Sequence, residues 1–349
     1  SLDLNTLEYR DQKKANFATL ELTKAVDVVS DRFPILIDGK DKAGSFYRKN
    51  FAALFAYVSK RIPEITDDQD DALRAGFGWE HGPFQIWDAV GLEKGLEIIK
   101  QEGEEPASWI EEMIQQGVRD FYTVKEGQTY YYDLQSKSHK KVPGQDAFII
   151  LDNIRQSKAV FKNSGVVVED LGDGILNVEF RSKMNTIGGD VLDGLNRALD
   201  LAEKEYQGLV VANNGANFSV GANIGMIFMM AVEQEYEELN MAVKYFQDTM
   251  MRMRYSSIPT IAAPHGMTLG GGCELSLHAD KVVAAAETYI GLVEFGVGVI
   301  PGGGGSKEMA LRAADLFKKD DVELNVLREY FMTIGLAKVS TSAYEAFDT

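Results

Sequence analysis

The chain has 349 residues, 45% apolar and 26% charged, which predicts a folded protein long enough for two ordinary domains. Its formal net charge of −17 disfavours nucleic acid as a partner. A single cysteine, Cys273, excludes an intrachain disulfide, and no apolar run approaches the length of a membrane-spanning helix, so we expect a cytoplasmic protein without a membrane partner.

The first part of the chain is predicted to be mostly helical. Residues 1–40 show no clean hydrophobic period, and no element is predicted there. Beyond them, apolar residues recur at three- and four-residue steps, a pattern typical of amphipathic helices. The predicted helices span 46–62, 67–76, 92–102 and 106–117. Pro83 suits the first turn of a further helix because a proline lacks the N–H that such a turn leaves unpaired.

The pattern changes between about 119 and 146. Tyr130–Tyr132 predicts a strand or hairpin, and the polar stretch 135–141 predicts a connector that Gly144 closes. We place the domain boundary here, which gives a helical domain with its connector over 1–145 and a second domain over 146–349.

The second domain is predicted to alternate strands and helices. Its strands carry few polar residues, which is typical of strands covered on both faces in an α/β arrangement. The predicted strands are 166–168, 175–180, 209–211, 260–263 and 282–286, and the predicted helices are 191–202 and 229–254.

Three glycine-containing segments follow strands of this domain, at 218–224, 269–274 and 293–305. Glycines let a backbone approach a ligand closely and direct N–H groups at it, although a lone glycine run is usually only a turn. Two carboxylates next to these runs make them more informative. Glu274 and Glu294 both lie among apolar neighbours, where a charged group is costly to desolvate, and such a pair can serve as a general acid and base.

Other kinds of site are disfavoured by spacing. The glycines of 297–302 do not have the spacing of a dinucleotide-binding fingerprint, and there is no phosphate-binding loop with its lysine. The four histidines show no metal-ligand spacing with one another or with Cys273, so no metal site is predicted. We interpret these histidines as structural and Cys273 as a small buried apolar residue.

The segments 259–266, 269–274 and 291–305 together resemble the signature of the crotonase (enoyl-CoA hydratase/isomerase) superfamily. The resemblance covers nearly fifty residues, includes the step from Glu274 to Glu294, and is preceded at a fitting distance by 218–224. It implies a crotonase-like α/β spiral of ββα units, preceded here by the mostly helical domain. It also implies a coenzyme A thioester as the substrate and a tendency to form homo-oligomers.

The resemblance further implies roles for individual residues. The family's oxyanion hole, made of two backbone N–H groups, falls on Ala222 and Gly271, and its two hydratase carboxylates fall on Glu274 and Glu294. Those carboxylates hold the attacking water and deliver a proton to the α carbon. The remaining positions are Gly302, which helps to hold the water, and Val220 and Ile224, which with Ala222 line the adenine.

The chain departs from the family pattern in three places. Asn223 replaces the usual acidic residue, and Leu292 and Val293 stand where many hydratases have Gln-Pro. Neither change removes a catalytic group, but both alter the expected acyl pocket. The sequence also stops at Thr349, before the family's C-terminal helices, which puts the family's trimer in question.

The segment 74–88 resembles the helical C-terminal domain of 3-hydroxyacyl-CoA dehydrogenases. Together the two parts resemble the end of a dehydrogenase–hydratase fusion of fatty-acid β-oxidation. Hydration needs no cofactor, and NAD would belong only to the dehydrogenase's absent nucleotide-binding domain, so a structural role is expected for the helical domain.

Three functions compete at this stage. The favoured one is hydration of 2-enoyl-CoA. A Δ3,Δ2-enoyl-CoA isomerase commonly keeps only the carboxylate that corresponds to Glu294, so the presence of Glu274 favours the hydratase. A non-catalytic module that binds acyl-CoA or scaffolds other domains would have no need of two buried carboxylates.

Overall fold

The computed structural model describes the whole chain except residues 1, 4, 12–15, 27, 63, 65–68, 319–321 and 349, together with the side chains of 69, 71, 156 and 348. The chain divides into two compact units, Ser1–Phe148 and Ile149–Thr349. Among the described residues, no helix combines the length and the apolar content that crossing a bilayer requires.

The first unit is built on helices. They are α1 (Ala18–Lys24), α2 (Val29–Asp38), α3 (Lys42–Arg61), α4 (Gln69–Phe77), α5 (Pro83–Val90), α6 (Leu92–Gln101) and α7 (Ser108–Gln115). Helices α3, α4, α6 and α7 lie where helices were predicted, except that positions 67 and 68 fall outside the described residues, and α5 begins at Pro83 as expected. Aromatic rings fill the core, and the ring of Trp87 stacks on that of Phe55 with centroids 4.8 Å apart.

The first unit ends in a small antiparallel sheet of three strands, β1 (Tyr122–Lys125), β2 (Gln128–Asp133) and β3 (Ser138–Lys141), in that spatial order. The hairpin prediction around 130 is therefore right, but the prediction of a polar connector over 135–141 is partly wrong. Strand β3 belongs to that stretch and pairs with β2 in the register Tyr132↔His139. Its side chains alternate between exposed and half-buried. An edge strand with one solvated face has so many polar residues that its sequence resembles that of a connector.

The second unit is a mixed α/β unit with a six-stranded sheet in the order β10-β8-β7-β6-β5-β4. Its strands are β4 (Ala159–Lys162), β5 (Val166–Gly172), β6 (Ile175–Phe180), β7 (Gly208–Val211), β8 (Thr260–Ala262) and β10 (Lys281–Val282). From β6 to β10 the neighbours are parallel. The predicted fold class, an α/β domain after a mostly helical region, is confirmed.

A separate two-stranded sheet positions the glycine segments. Strands β9 (Gly266–Leu269) and β11 (Thr288–Gly291) pair in parallel, in the register Leu269↔Gly291. The helices of this unit are α8 (Leu151–Lys158), α9 (Gly189–Glu205), α10 (Ile224–Val232), α11 (Tyr236–Arg254), α12 (Gly271–His278), α13 (Gly305–Asp315), α14 (Glu323–Gly335) and α15 (Ala343–Asp348). Helix α12 begins two residues after β9 ends, and a short 3₁₀ turn, Glu294–Val297, follows β11.

Two predictions in this unit are wrong in detail. The helix expected over 229–254 is two helices, because Gln234 takes a left-handed conformation (φ 61°) between α10 and α11. The strand expected over 282–286 pairs only at Lys281–Val282. The residues that follow lead into β11, which pairs with β9 and not with the larger sheet. An apolar run thus identified a buried segment but not its pairing partner.

Candidate active site

The turn after β7 is held against β9. Ser219 forms a parallel bridge with Thr268, and the N–H of Leu269 donates to the carbonyl of Ser219 at 2.9 Å. Gly221 has φ 91°, and a Cβ there would lie 2.8 Å from the nitrogen of Gly271. Only glycine fits such a position without strain. The close approach brings the residue after it, Ala222, next to the start of α12.

Helix α12 presents an unpaired N–H at its first residue. Gly270 caps the helix with φ 53°, and the N–H of Gly271 has no intrahelical acceptor because it belongs to the first turn. A Cβ on Gly271 would lie 3.3 Å from the nitrogen of Ala222, so the two predicted oxyanion donors are neighbours. Both lie at a helix N-terminus, whose partial positive charge favours a developing negative charge.

Glu274 sits in the first turn of α12 and is 3% exposed. Its Oε1 accepts the N–H of Gly305 at 2.9 Å, and the N–H groups of Gly303 and Gly304 also contact the carboxylate. Burial raises the pKa of Glu274, and the three N–H groups oppose that rise because they favour the ionised form. The carboxylate is therefore buried and also equipped to hold a negative charge.

Glu294 opens the 3₁₀ turn after β11 and has a different environment. Both carboxylate oxygens are inaccessible to solvent, and neither is hydrogen-bonded to another group in the described part of the chain. Burial, reinforced by the negative charge of Glu274, raises the pKa of Glu294 to about 7. A Cβ at Gly270 would lie 3.3 Å from Oε1 of Glu294, so this carboxylate borders the same helix terminus. It can hold or release a proton near neutral pH.

The other predicted positions lie around this centre. The carbonyl of Gly302 accepts the side-chain amide of Gln247 from α11 at 2.7 Å. Val220 is half-buried beside Gly221, and Ile224 begins α10 with 45% of its surface exposed. No described contact joins Val220 or Ile224 to the two carboxylates, so their assignment to the adenine stays a prediction. Burial raises the pKa of the Cys273 thiol, which fits its interpretation as an inert core residue.

Sequence reasoning missed two residues that shape the site. The ring of Phe246 on α11 lies against the backbone of Gly271 and Gly303, where added Cβ atoms would come within 2.9 and 2.6 Å of it. His278 lies one turn after Glu274 on α12, and its Nδ1 is 2.7 Å from the carbonyl oxygen of Glu274. The four-residue step was the available signal for His278 because it places both side chains on one helix face. No sequence signal pointed to Phe246.

The site holds no metal-binding cluster within the described ranges, since no three His, Cys, Asp or Glu side chains converge there or elsewhere among those residues. What the arrangement offers is a pair of neighbouring backbone N–H groups beside two buried carboxylates with different hydrogen bonding. This combination can stabilise an oxyanion and move protons at an adjacent atom.

Comparison with known proteins identifies a matching family model and similar curated proteins. Residues 170–314 match the model of the enoyl-CoA hydratase/isomerase family. Over 349 residues the chain is 40% identical to a protein of Bacillus subtilis (strain 168) described as "Probable 3-hydroxyacyl-CoA dehydrogenase", covering 99% of this chain and 44% of that protein. It is 27% identical over 315 residues to a "Putative fatty acid oxidation complex trifunctional enzyme" of Rickettsia felis, covering 89% of this chain and 39% of the relative.

Among solved structures, an enoyl-CoA hydratase from Polaromonas sp. JS666 is 24% identical to this chain. The alignment covers 52% of this chain and 67% of the hydratase chain, with a TM-score of 0.46. The chain spans less than half the length of the curated relatives described above. The resemblance to the enoyl-CoA hydratase/isomerase family is confirmed by the family match, which contains all the predicted site residues.

Proposed function

We propose that the second unit hydrates 2-enoyl-CoA thioesters to 3-hydroxyacyl-CoA. The observation that carries the proposal is the pair of buried carboxylates, Glu274 and Glu294, beside the start of α12. Two carboxylates in one apolar site are costly to maintain, and a reaction that adds water across a double bond uses both, one toward the water and one toward carbon. Both residues lie inside the segment that matches the family.

The thioester oxygen would lie between the N–H groups of Ala222 and Gly271. When hydroxide character adds to the β carbon, electron density moves through the double bond onto that oxygen, and an enolate forms. Preorganised donors stabilise this charge, and loss of one such donor typically lowers the rate by about 10²–10³-fold. The proximity of the two nitrogens across the Gly221–Gly271 contact supports this assignment.

The unequal hydrogen bonding of the carboxylates suggests which does what. Glu274 accepts N–H groups of Gly303 to Gly305, which favour its ionised form, so we assign it to remove a proton from the attacking water. Glu294 has no such donors and a pKa of about 7, so we assign it to give a proton to the α carbon. The C–O and C–H bonds that form account for one water, and the site is reset when Glu274 releases its proton and Glu294 regains one.

The reaction requires no cofactor, because coenzyme A is part of the substrate. We assign Val220 and Ile224 to the adenine side and Gly302 to the water, following the family pattern. Since two relatives are described as a 3-hydroxyacyl-CoA dehydrogenase and a fatty acid oxidation enzyme, we extend the proposal to fatty-acid β-oxidation. The first unit would then be the helical part of a dehydrogenase and serve as structure, with NAD bound elsewhere in a longer protein.

The proposal is tested by following hydration of crotonyl-CoA through the loss of its conjugated-thioester absorbance. We expect Glu274→Gln and Glu294→Gln each to lower kcat by about 10²–10⁴-fold with nearly unchanged binding of a CoA ester. Glu287→Gln, at an exposed position of the same unit, is the matched control and should be silent.

Three results would contradict hydration. Equal loss of binding and rate in both variants would mean that the glutamates hold the fold. A wild-type chain that leaves crotonyl-CoA intact but shifts the double bond of a 3-enoyl-CoA would identify an isomerase. Tight acyl-CoA binding without either reaction would identify a binding module.

A further inference from the structure

Four charged or titratable side chains, two buried and two partly exposed, form a cluster behind Glu274. We call His278, Lys307, Glu308 and Arg254 the His278 network. Its members come from three helices, α12, α13 and α11. The side chains of His278 and Glu308 are 0% and 1% exposed, whereas those of Lys307 and Arg254 are 39% and 35% exposed, so two partly exposed cations contact two buried groups. Ion pairs that include a buried charge contribute little net stability, so stability alone does not account for the network.

The hydrogen bonding of His278 fixes its tautomer. Its Nδ1 lies 2.7 Å from the carbonyl oxygen of Glu274, which can only accept, so Nδ1 carries the proton. Its Nε2 lies 3.0 Å from Nζ of Lys307, an obligate donor, so Nε2 accepts. Both contacts suit a neutral imidazole, and burial lowers the pKa of His278 in the same sense. The ring therefore links the backbone of Glu274 to the start of α13.

Glu308 joins the remaining members. Its carboxylate lies 2.6 Å from Nζ of Lys307 and 2.6 Å from a guanidinium nitrogen of Arg254. Burial alone would raise the pKa of Glu308, but the cations Lys307 and Arg254 lower it, so the carboxylate stays charged. The N–H of Glu308 also donates to the carbonyl of Gly304 at 2.9 Å. The network is thus connected to the glycine segment through the backbone of α13.

The imidazole of His278 packs directly on that glycine segment. Gly304 has φ 122°, and a Cβ there would lie 2.7 Å from Cε1 of His278. The neighbouring N–H of Gly305 donates to Glu274 on the other side of the segment. The segment Gly303–Gly305 therefore lies between the Glu274 carboxylate and the His278 ring, and glycines have little conformational restraint of their own.

We infer that the His278 network positions Glu274, by fixing the backbone of Gly303–Gly305 whose N–H groups hold its carboxylate. The inference rests on the proposed function for its catalytic consequence, since the network touches no reacting atom. The contacts extend from Arg254 on α11, through Glu308, to His278. The ring of His278 then contacts the carbonyl of Glu274 and the backbone of Gly304. The network would affect the rate through the placement of the Glu274 carboxylate, because a displacement of about 1 Å in a catalytic group can lower the rate by about 10²-fold.

The experiment pairs turnover with amide hydrogen exchange in the full chain. We expect His278→Ala to lower kcat for crotonyl-CoA hydration by about 10²-fold with little change in KM. In the same variant, deuterium uptake by a peptide spanning 302–306 should be at least about tenfold faster, because local opening of that segment is no longer restrained. His278→Gln retains a donor and an acceptor and should recover part of both losses.

Two arginines of α11 offer a matched pair of charge variants. Glu308→Gln on α13 removes a carboxylate partner of Arg254, and Glu203→Gln on α9 removes a carboxylate partner of Arg252, whose guanidinium nitrogen lies 2.5 Å from Glu203. Glu203 otherwise accepts hydrogen bonds from Ser256 and Ser257. We expect only Glu308→Gln to speed uptake at 302–306 and to lower kcat. If His278→Ala does not fold, His278→Gln and Glu308→Gln provide the same comparison.

The two proposals fail in distinguishable ways. Unchanged uptake at 302–306 in folded network variants would overturn the positioning role, whatever the wild-type chain catalyses. Faster uptake with unchanged kcat in an active enzyme would also overturn it, because the segment would then be structural only. A wild-type chain without hydratase activity would contradict the proposed function, and faster uptake in the variants would then still support the backbone restraint.

Discussion

Replacement of Glu294 by Gln should stabilise the second unit while it destroys turnover. Burial and the charge of Glu274 raise the pKa of Glu294 from its ordinary 4.5 to about 7. One pKa unit corresponds to about 1.36 kcal/mol, so the ionised form destabilises the folded state by up to about 3 kcal/mol. The penalty is absent below pH 4.5, where the carboxyl is neutral in both folded and unfolded states, and it is complete above pH 7, where it is charged in both.

We therefore expect Glu294→Gln to raise the free energy of unfolding by up to about 3 kcal/mol at pH 8 and by less than about 1 kcal/mol at pH 5. The assay is urea unfolding by circular dichroism. All three tryptophans, Trp79, Trp87 and Trp109, lie in the first unit, so their fluorescence follows that unit alone and identifies its transition.

The tryptophan transition should not move, and the exposed control Glu287→Gln should change neither transition. An equal gain at both pH values would refute the reasoning, because the cost of burying a charged carboxylate must disappear when the charge does. Destabilisation at both pH values would show that the Glu294 carboxylate has partners that stabilise the fold.

Three further outcomes follow from local geometry. Gly221→Ala places a methyl group 2.8 Å from the nitrogen of Gly271 at a positive φ, so kcat should fall by about 10²–10³-fold in the hydration assay as the oxyanion donors separate. Trp87→Ala opens the aromatic core of the first unit, and urea unfolding should show a loss of about 3–5 kcal/mol. Arg155→Met leaves the buried carboxylate of Glu179 without its bidentate partner, and circular dichroism should show a loss of about 3–5 kcal/mol in the second unit.

The candidate site residues could be named from the sequence without knowing how the strands around them pair. Glycines, which allow a positive φ or a close approach, can be identified directly in a sequence, and so can carboxylates that lie among apolar residues. The sequence therefore indicated the glycine run within 269–274, Glu274 and Glu294 without any knowledge of pairing. The family resemblance added Ala222 and Gly271, whose residue types reveal nothing, because their proposed roles belong to backbone N–H groups that the close approach of Gly221 brings together.

The elements that sequence reasoning missed are those in which tertiary contacts outweigh local preference. Helix α2 contains Pro34, which normally ends a helix, yet the burial of Leu36 and Ile37 holds the segment together. The break between α10 and α11 has no glycine or proline to mark it, since Gln234 adopts the left-handed conformation. Such positions carry no local signal that outweighs the surrounding helical pattern.

The division of roles between the two glutamates depends on their neighbours rather than on the residues themselves. Both side chains are glutamates buried near one helix terminus, so residue type cannot tell the acid from the base. Glu274 is held by N–H groups that α13 and the glycine segment provide, and Glu294 has no hydrogen bond to another described group. Burial raises the pKa of both glutamates, but only at Glu274 do backbone N–H donors oppose that rise by favouring the ionised form. In the hydration that we propose, the N–H groups of Gly303–Gly305 therefore favour Glu274 as the group that acts on the water, and the position of that backbone should affect the rate as strongly as the carboxylates do.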